Sequence, residues 1–253
     1  MIIVVSNRSI KPNATDETLF EETPNKAGID EIRLATADYN PSTNRWAVDL
    51  RPEPNDLTDT VPPSKQLFNE VLAGIQAGTY RKTWVFFIHG FNQTFASGLQ
   101  TSWQLSQLYD VDVILFSWPS NPGGFVTDEY RRARQAAKAS ANALDRTLDK
   151  LGSYLLNRPY EEMWRCPASL NLLAHSLGNF MLESVAREPI FIPKVSLFKN
   201  LIFHQADVNN RLHKYWIDQV EYGTRLYVTI NEEDLVLKAS DLINPNRLVW
   251  ETR

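Results

Sequence analysis

Leu170-Asn171-Leu172-Leu173-Ala174-His175-Ser176-Leu177-Gly178 is the stretch on which the reading of this chain turns. An apolar run of this length suits a buried strand, and Asn179 to Arg187 continues with helical character. Between them stands a serine flanked at minus two and plus two by the small residues Ala174 and Gly178. The pattern predicts a strand, a tight turn and a helix, with Ser176 held at the turn. A plainer reading is a serine that caps a helix after a buried strand.

Similar apolar runs surround it: Trp84 to Ile88, Val111 to Phe116, Leu201 to Phe203 and Leu226 to Ile230. They alternate with longer amphipathic segments, the pattern of parallel strands joined by crossover helices. The longest helical signal places Ala133, Ala137, Ala141, Leu144, Leu148, Leu151 and Leu155 on one face, three or four residues apart. Alanine there lets the helix sit close to a sheet. Before these, Ile2 to Val5, Glu31 to Ala35 and Arg45 to Leu50 read as short strands of an antiparallel start. A proline- and acid-rich loop, Arg51 to Pro63, leads to a helix from Ser64, its candidate cap, to about Gly78. The expectation is one α/β domain over 1–253, with 1–63 as N-terminal strands and loop and 64–253 as the core. Its sheet is expected to be mostly parallel and doubly wound, with helices on both faces.

Composition narrows the partners. With 43% hydrophobic and 22% charged residues over 253 positions the chain is globular, and a formal net charge of -4 with no basic stripe argues against nucleic acid. The single cysteine, Cys166, has no partner thiol in the chain and reads as structural. Only four consecutive apolar residues follow Met1, too few for a signal core or a membrane span, so a cytoplasmic location is expected. No cluster of histidine, cysteine and carboxylate has ligand spacing, so neither a metal nor a cofactor is expected.

The chemistry then follows from Ser176. Its pentapeptide fits the G-x-S-x-G turn of serine hydrolases apart from Ala174, a change of one methyl. The first core strand ends in His89-Gly90-Phe91-Asn92, where such proteins place a loop whose amide binds a developing oxyanion. Phe91 and Leu177 are therefore the candidate oxyanion donors, and His89, which is expected to hold the loop, and Asn92 are candidate pocket residues. Four segments together resemble the alpha/beta hydrolases of unknown function, the DUF900 type: Ile88 to Asn92, Phe116 to Ser120, Leu173 to Asn179 and Asn231 to Asp234. The resemblance spans roughly 84–240 and implies the α/β-hydrolase fold, Ser176 as nucleophile and Asp234 as the acid that orients a histidine. Asp207 competes for that role, against a plainer one as a helix cap. Trp118, in the loop to Gly124, is expected to wall an acyl pocket or to be a core residue of a rigid turn.

The histidine itself is the difficulty. The four histidines are 89, 175, 204 and 213, and none follows Asp234. His175 is expected to point away from Ser176, His204 to be a satisfied buried imidazole, and His213 to be exposed on a helix. Three readings stand: a truncated C-terminal strand and helix, a nonstandard base such as His213, or a catalytically silent hydrolase-fold protein that binds ligands or partners. The leading expectation is hydrolysis of small-molecule acyl esters or lipids through a Ser176 acyl-enzyme. If the sheet ends at Leu226 to Ile230, that edge offers a route to a homodimer.

Overall fold

Runs of β-branched and aromatic residues build the centre of the sheet in a computed structural model that describes residues 1–53, 61–121, 123, 126–156, 168–188, 196–208, 213–220 and 223–230. The elements in chain order are β1 (Ile2–Ser6), β2 (Arg8–Ile10), β3 (Phe20–Pro24), β4 (Arg33–Asn40), β5 (Arg45–Arg51), α1 (Pro63–Ala77), β6 (Thr83–Ile88) and α2 (Phe95–Tyr109). They continue with β7 (Asp112–Ser117), α3 (Val126–Ala139), α4 (Ala141–Leu156), β8 (Ser169–His175), α5 (Leu177–Arg187), β9 (Phe198–His204), α6 (His213–Ile217) and β10 (Gly223–Thr229). Eight strands form one sheet in the order β10-β9-β8-β6-β7-β1-β4-β5, and β2 pairs with β3 in a separate ribbon. From β10 through β1 every pairing is parallel, while β1-β4 and β4-β5 are antiparallel.

The N-terminal strands therefore do more than start an antiparallel sheet. Every residue of β1 is buried, and Ile2 lies between Ala37 of β4 and Val113 of β7. A strand buried on both faces reads as an unbroken apolar run, which is why IIVV gives no sign of its neighbours.

Alternation divides the core between the two faces. Val4, Phe87, Val113 and Leu115 pack with Phe95 and Leu99 of α2 on one side. Phe86, Ile88, Phe116 and Leu172 pack with α3, α4 and α5 on the other, and Ile3 and Trp84 lie under α1. The sheet is thus doubly wound. The long alanine and leucine stripe is broken at Ser140, whose Oγ accepts a 2.8 Å hydrogen bond from Asn7 Nδ2. The i to i-4 bonds from Ser140 N and Leu144 N continue across the break, so the periodicity survives it. Ser64 is inside α1 and does not cap it; the cap position is Pro62, and Ser64 N donates to Glu53 Oε1 at 3.0 Å. At the far end of the described sheet, β10 is poorly covered, with Leu226 40% and Tyr227 48% exposed.

Candidate functional site

Ser176 occupies the single-residue turn between β8 and α5 with φ 50° and ψ -118°. A left-handed φ on a side-chain-bearing residue is strained by about 1–3 kcal/mol and persists only where its surroundings fix it. Several contacts do so. Ser176 N donates to His204 O at 3.0 Å, and Ser176 O accepts from Asn179 N at 3.0 Å and from Asp207 N at 3.2 Å. Buried Asn179 adds a side-chain clasp, its Nδ2 donating to Ala174 O at 2.9 Å and Ser176 O at 3.2 Å.

The glycines follow from how closely β6 is pressed against this turn. A Cβ on Gly178 would lie 2.7 Å from Ile88 O and 2.9 Å from His89 O, and one on Gly90 would lie 2.9 Å from Ser176 Cβ. Neither position can carry a side chain without moving backbone. Ala174 has room because its methyl points into the core, fully buried.

Beside the serine, His89 orients the peptide that carries the Phe91 amide. Its Nε2 lies 3.2 Å from Trp118 N, a backbone donor, so Nε2 is the acceptor. In the neutral ring Nδ1 then bears the proton and donates to Gly90 O at 3.0 Å. Gly90 C=O and Phe91 N–H belong to one planar unit, so holding the oxygen fixes the direction of the amide. Burial, and next the charge of Arg8, push the His89 imidazole down to about 3, which keeps this tautomeric arrangement at ordinary pH.

Trp118 is fully buried, its ring stacked on His89 at 5.4 Å and 6°, and its Nε1 donates to His89 O at 3.0 Å. Of the two expectations for it, the core tryptophan matches this placement; it faces His89 and not open space. Asn92 has φ 57°, and its N–H donates to Ser120 O at 3.0 Å, joining the loops after β6 and β7. Leu177, fully buried, is the first residue of α5, where helix amides lack intrahelical acceptors.

Asp207 is almost fully buried and accepts a hydrogen bond from Tyr130. Its backbone contact with Ser176 puts it against the turn, which a capping role alone would not require. His204, ending β9, is partly exposed and pairs through Nδ1 with Thr229 Oγ1 at 2.6 Å. The buried-imidazole expectation for it is corrected: its strand partners, His175 of β8, partly exposed, and Thr229 of β10, exposed, leave the ring open to solvent. His175 Nε2 lies 3.1 Å from Gln205 Oε1, and the rings of His175 and His204 are 5.3 Å apart. Gln205 also has a left-handed φ, 45°. Asp234 and the His213 side chain lie outside the described residues. Sequence reading missed Tyr130, Ser120 and Gln205; the loop after β9 gives no local sign of a strained residue.

A mostly parallel sheet covered on both faces, with a serine at a strained strand-to-helix turn on its carboxyl edge, defines an α/β-hydrolase fold. The chain belongs to the family described as alpha/beta hydrolase of unknown function, DUF900, which matches residues 67–249. No curated protein and no solved structure gives a significant match. Among the described residues no helix is long and apolar enough to cross a membrane, and no group of three or more histidine, cysteine or acidic side chains is set to hold a metal ion.

Proposed function

We propose that this protein is a serine hydrolase of carboxylic esters, with small acyl esters or lipids as substrates and Ser176 as nucleophile in a nucleophile elbow. The strained backbone of Ser176, held against Gly90 at the carboxyl edge of the sheet, is the observation that carries the reading. Strain of this kind on a non-glycine residue is retained where the exposed hydroxyl is needed. Ser176 Oγ adds to the ester carbonyl carbon while its proton passes to a base. The carbonyl oxygen becomes an oxyanion between the amides of Phe91 and Leu177, with the α5 N-terminus adding its dipole. Collapse releases the alcohol, protonated in turn by the same base, and leaves an acyl-enzyme. Water then adds to the acyl carbon and returns Ser176 with the free acid.

In this reading Asp234, after β10, orients the base, and Asp207 is the alternative acid. Turnover of p-nitrophenyl acetate and butyrate tests the proposal. Ser176→Ala is expected to remove at least about a thousandfold of the rate. Equal rates for wild type and Ser176→Ala would overturn the reading in favour of a silent binding protein. Separate His204→Gln and His213→Gln variants report which imidazole takes the serine proton, and Asp234→Asn against Asp207→Asn which carboxylate supports it.

A further inference from the structure

Among the described residues Arg8 is the one arginine in the set of largest fully buried side chains, and it comes from the N-terminal ribbon, outside residues 67–249. A buried guanidinium is costly unless its donors are satisfied. Here Nε donates to Ser117 Oγ at 2.9 Å, Nη2 to Gln93 O at 2.7 Å, and Nη1 to Glu22 and more distantly to Glu21 O at 3.4 Å. Glu22 Oε1, the other oxygen of that carboxylate, accepts from Phe95 N at 3.1 Å, the first residue of α2. Arg8 thus reaches the segment after Gly90 directly at Gln93 and, through Glu22, at Phe95.

The same segment is held from its other side by Ser120, whose Oγ accepts from Gln93 N and donates to Gln93 O, both at 3.0 Å, and whose carbonyl accepts from Asn92 N. Arg8 also touches Ser117, which ends β7 and leads into that second loop. The segment from Phe91 to Thr94 is therefore tied both to the N-terminal ribbon and to the loop after β7, and Arg8 bonds to the segment at Gln93 and to the start of that loop at Ser117. Lysine, with one nitrogen, could not span these acceptors in the plane that the guanidinium uses.

We infer that Arg8 and Glu22 form a positioning pair that holds the Phe91 amide in register with Ser176, so that the N-terminal ribbon completes the oxyanion site of the hydrolase core. This rests on the reading of Phe91 as an oxyanion donor. The pair does not touch substrate; it acts through Gln93 and Phe95. Its expected signature is a slower covalent step with unchanged binding, since an amide displaced from the oxyanion matters only as charge develops.

The test uses Arg8→Lys and Glu22→Gln in the full chain, with Ile75→Ala as the destabilised comparison, buried in α1 within a core cluster that holds no residue of the ribbon or of 89–95. Fluorophosphonate labelling gives separate maximal rate and half-saturating concentration, and hydrogen exchange of the peptide over 89–95 reads the loop directly. Both variants are expected to lose about tenfold or more in maximal labelling rate, to keep half-saturation within about twofold of wild type, and to exchange about tenfold faster over 89–95. Ile75→Ala is expected to change neither. Should Arg8→Lys fail to fold, Glu22→Gln alone decides, because Glu22 is partly exposed and the change is isosteric. Unchanged exchange over 89–95, or an unchanged maximal rate beside a labelled wild type, overturns the inference. A wild-type chain that takes no label contradicts the hydrolase reading instead, and the exchange measurement still decides whether the pair holds the loop.

Discussion

Ser176 and His89 show two kinds of cost that single residues bear in this site. Ser176 carries left-handed backbone at φ 50°, a region glycine enters freely. Ser176→Gly is therefore expected to be more stable than Ser176→Ala by about 1 kcal/mol while equally inactive, checked by urea unfolding. His89 carries the cost of burying an imidazole. Its folded value near 3 is below the ordinary 6.5, so as pH falls the unfolded chain takes up the proton first. That contribution to stability is complete above about pH 6.5 and is lost as pH falls from there toward about 3, with a slope approaching 1.4 kcal/mol per pH unit. Unfolding midpoints from pH 7 to 4 are expected to fall more steeply for wild type than for His89→Gln; parallel lines would contradict the neutral, buried ring. The role of His89 as a loop holder was readable, because a histidine closing an apolar strand before glycine has few other partners. Its link to Arg8 was not, since nothing in Ser6-Asn7-Arg8-Ser9 marks four polar residues as interior.

At the level of elements, β8, the turn and α5 were legible because their signals are local: an unbroken apolar run, small residues at fixed offsets, then helical periodicity. The β2–β3 ribbon and α2 escaped because one is short and largely polar and the other mixes serine and glutamine into its apolar stripe. Ser140 escaped for the opposite reason, the stripe continuing through it. Gly178 gives the sharpest test of how α5 meets β6. Glycine to alanine within a helix ordinarily gains about 0.5–1 kcal/mol. Here the added Cβ falls 2.7 Å from Ile88 O, a backbone atom that cannot swing aside. Overpacking of this sort costs about 1–3 kcal/mol, so Gly178→Ala is expected to be net destabilising in urea unfolding, and a stabilised variant would mean that α5 sits farther from β6.

Across the whole molecule, the position of β1 between β4 and β7 ties the N-terminal quarter to the family-matched core. That neighbourhood was not legible, since strand pairing across more than a hundred residues leaves no trace in local periodicity. We propose that 1–253 behaves as one domain, and tryptophan fluorescence and far-ultraviolet circular dichroism are expected to report a single coincident unfolding transition, whereas separated transitions would divide it. If Ser176 is the nucleophile, as proposed, its chemistry depends on residues far from it in sequence. Intact-mass detection of fluorophosphonate labelling, on the wild-type chain beside Ser176→Ala, tests that chemistry most directly. A single adduct on the wild type, absent from the variant, is the expected result; a folded wild type without an adduct, or one that survives in Ser176→Ala, would contradict the assignment of Ser176 as an activated nucleophile.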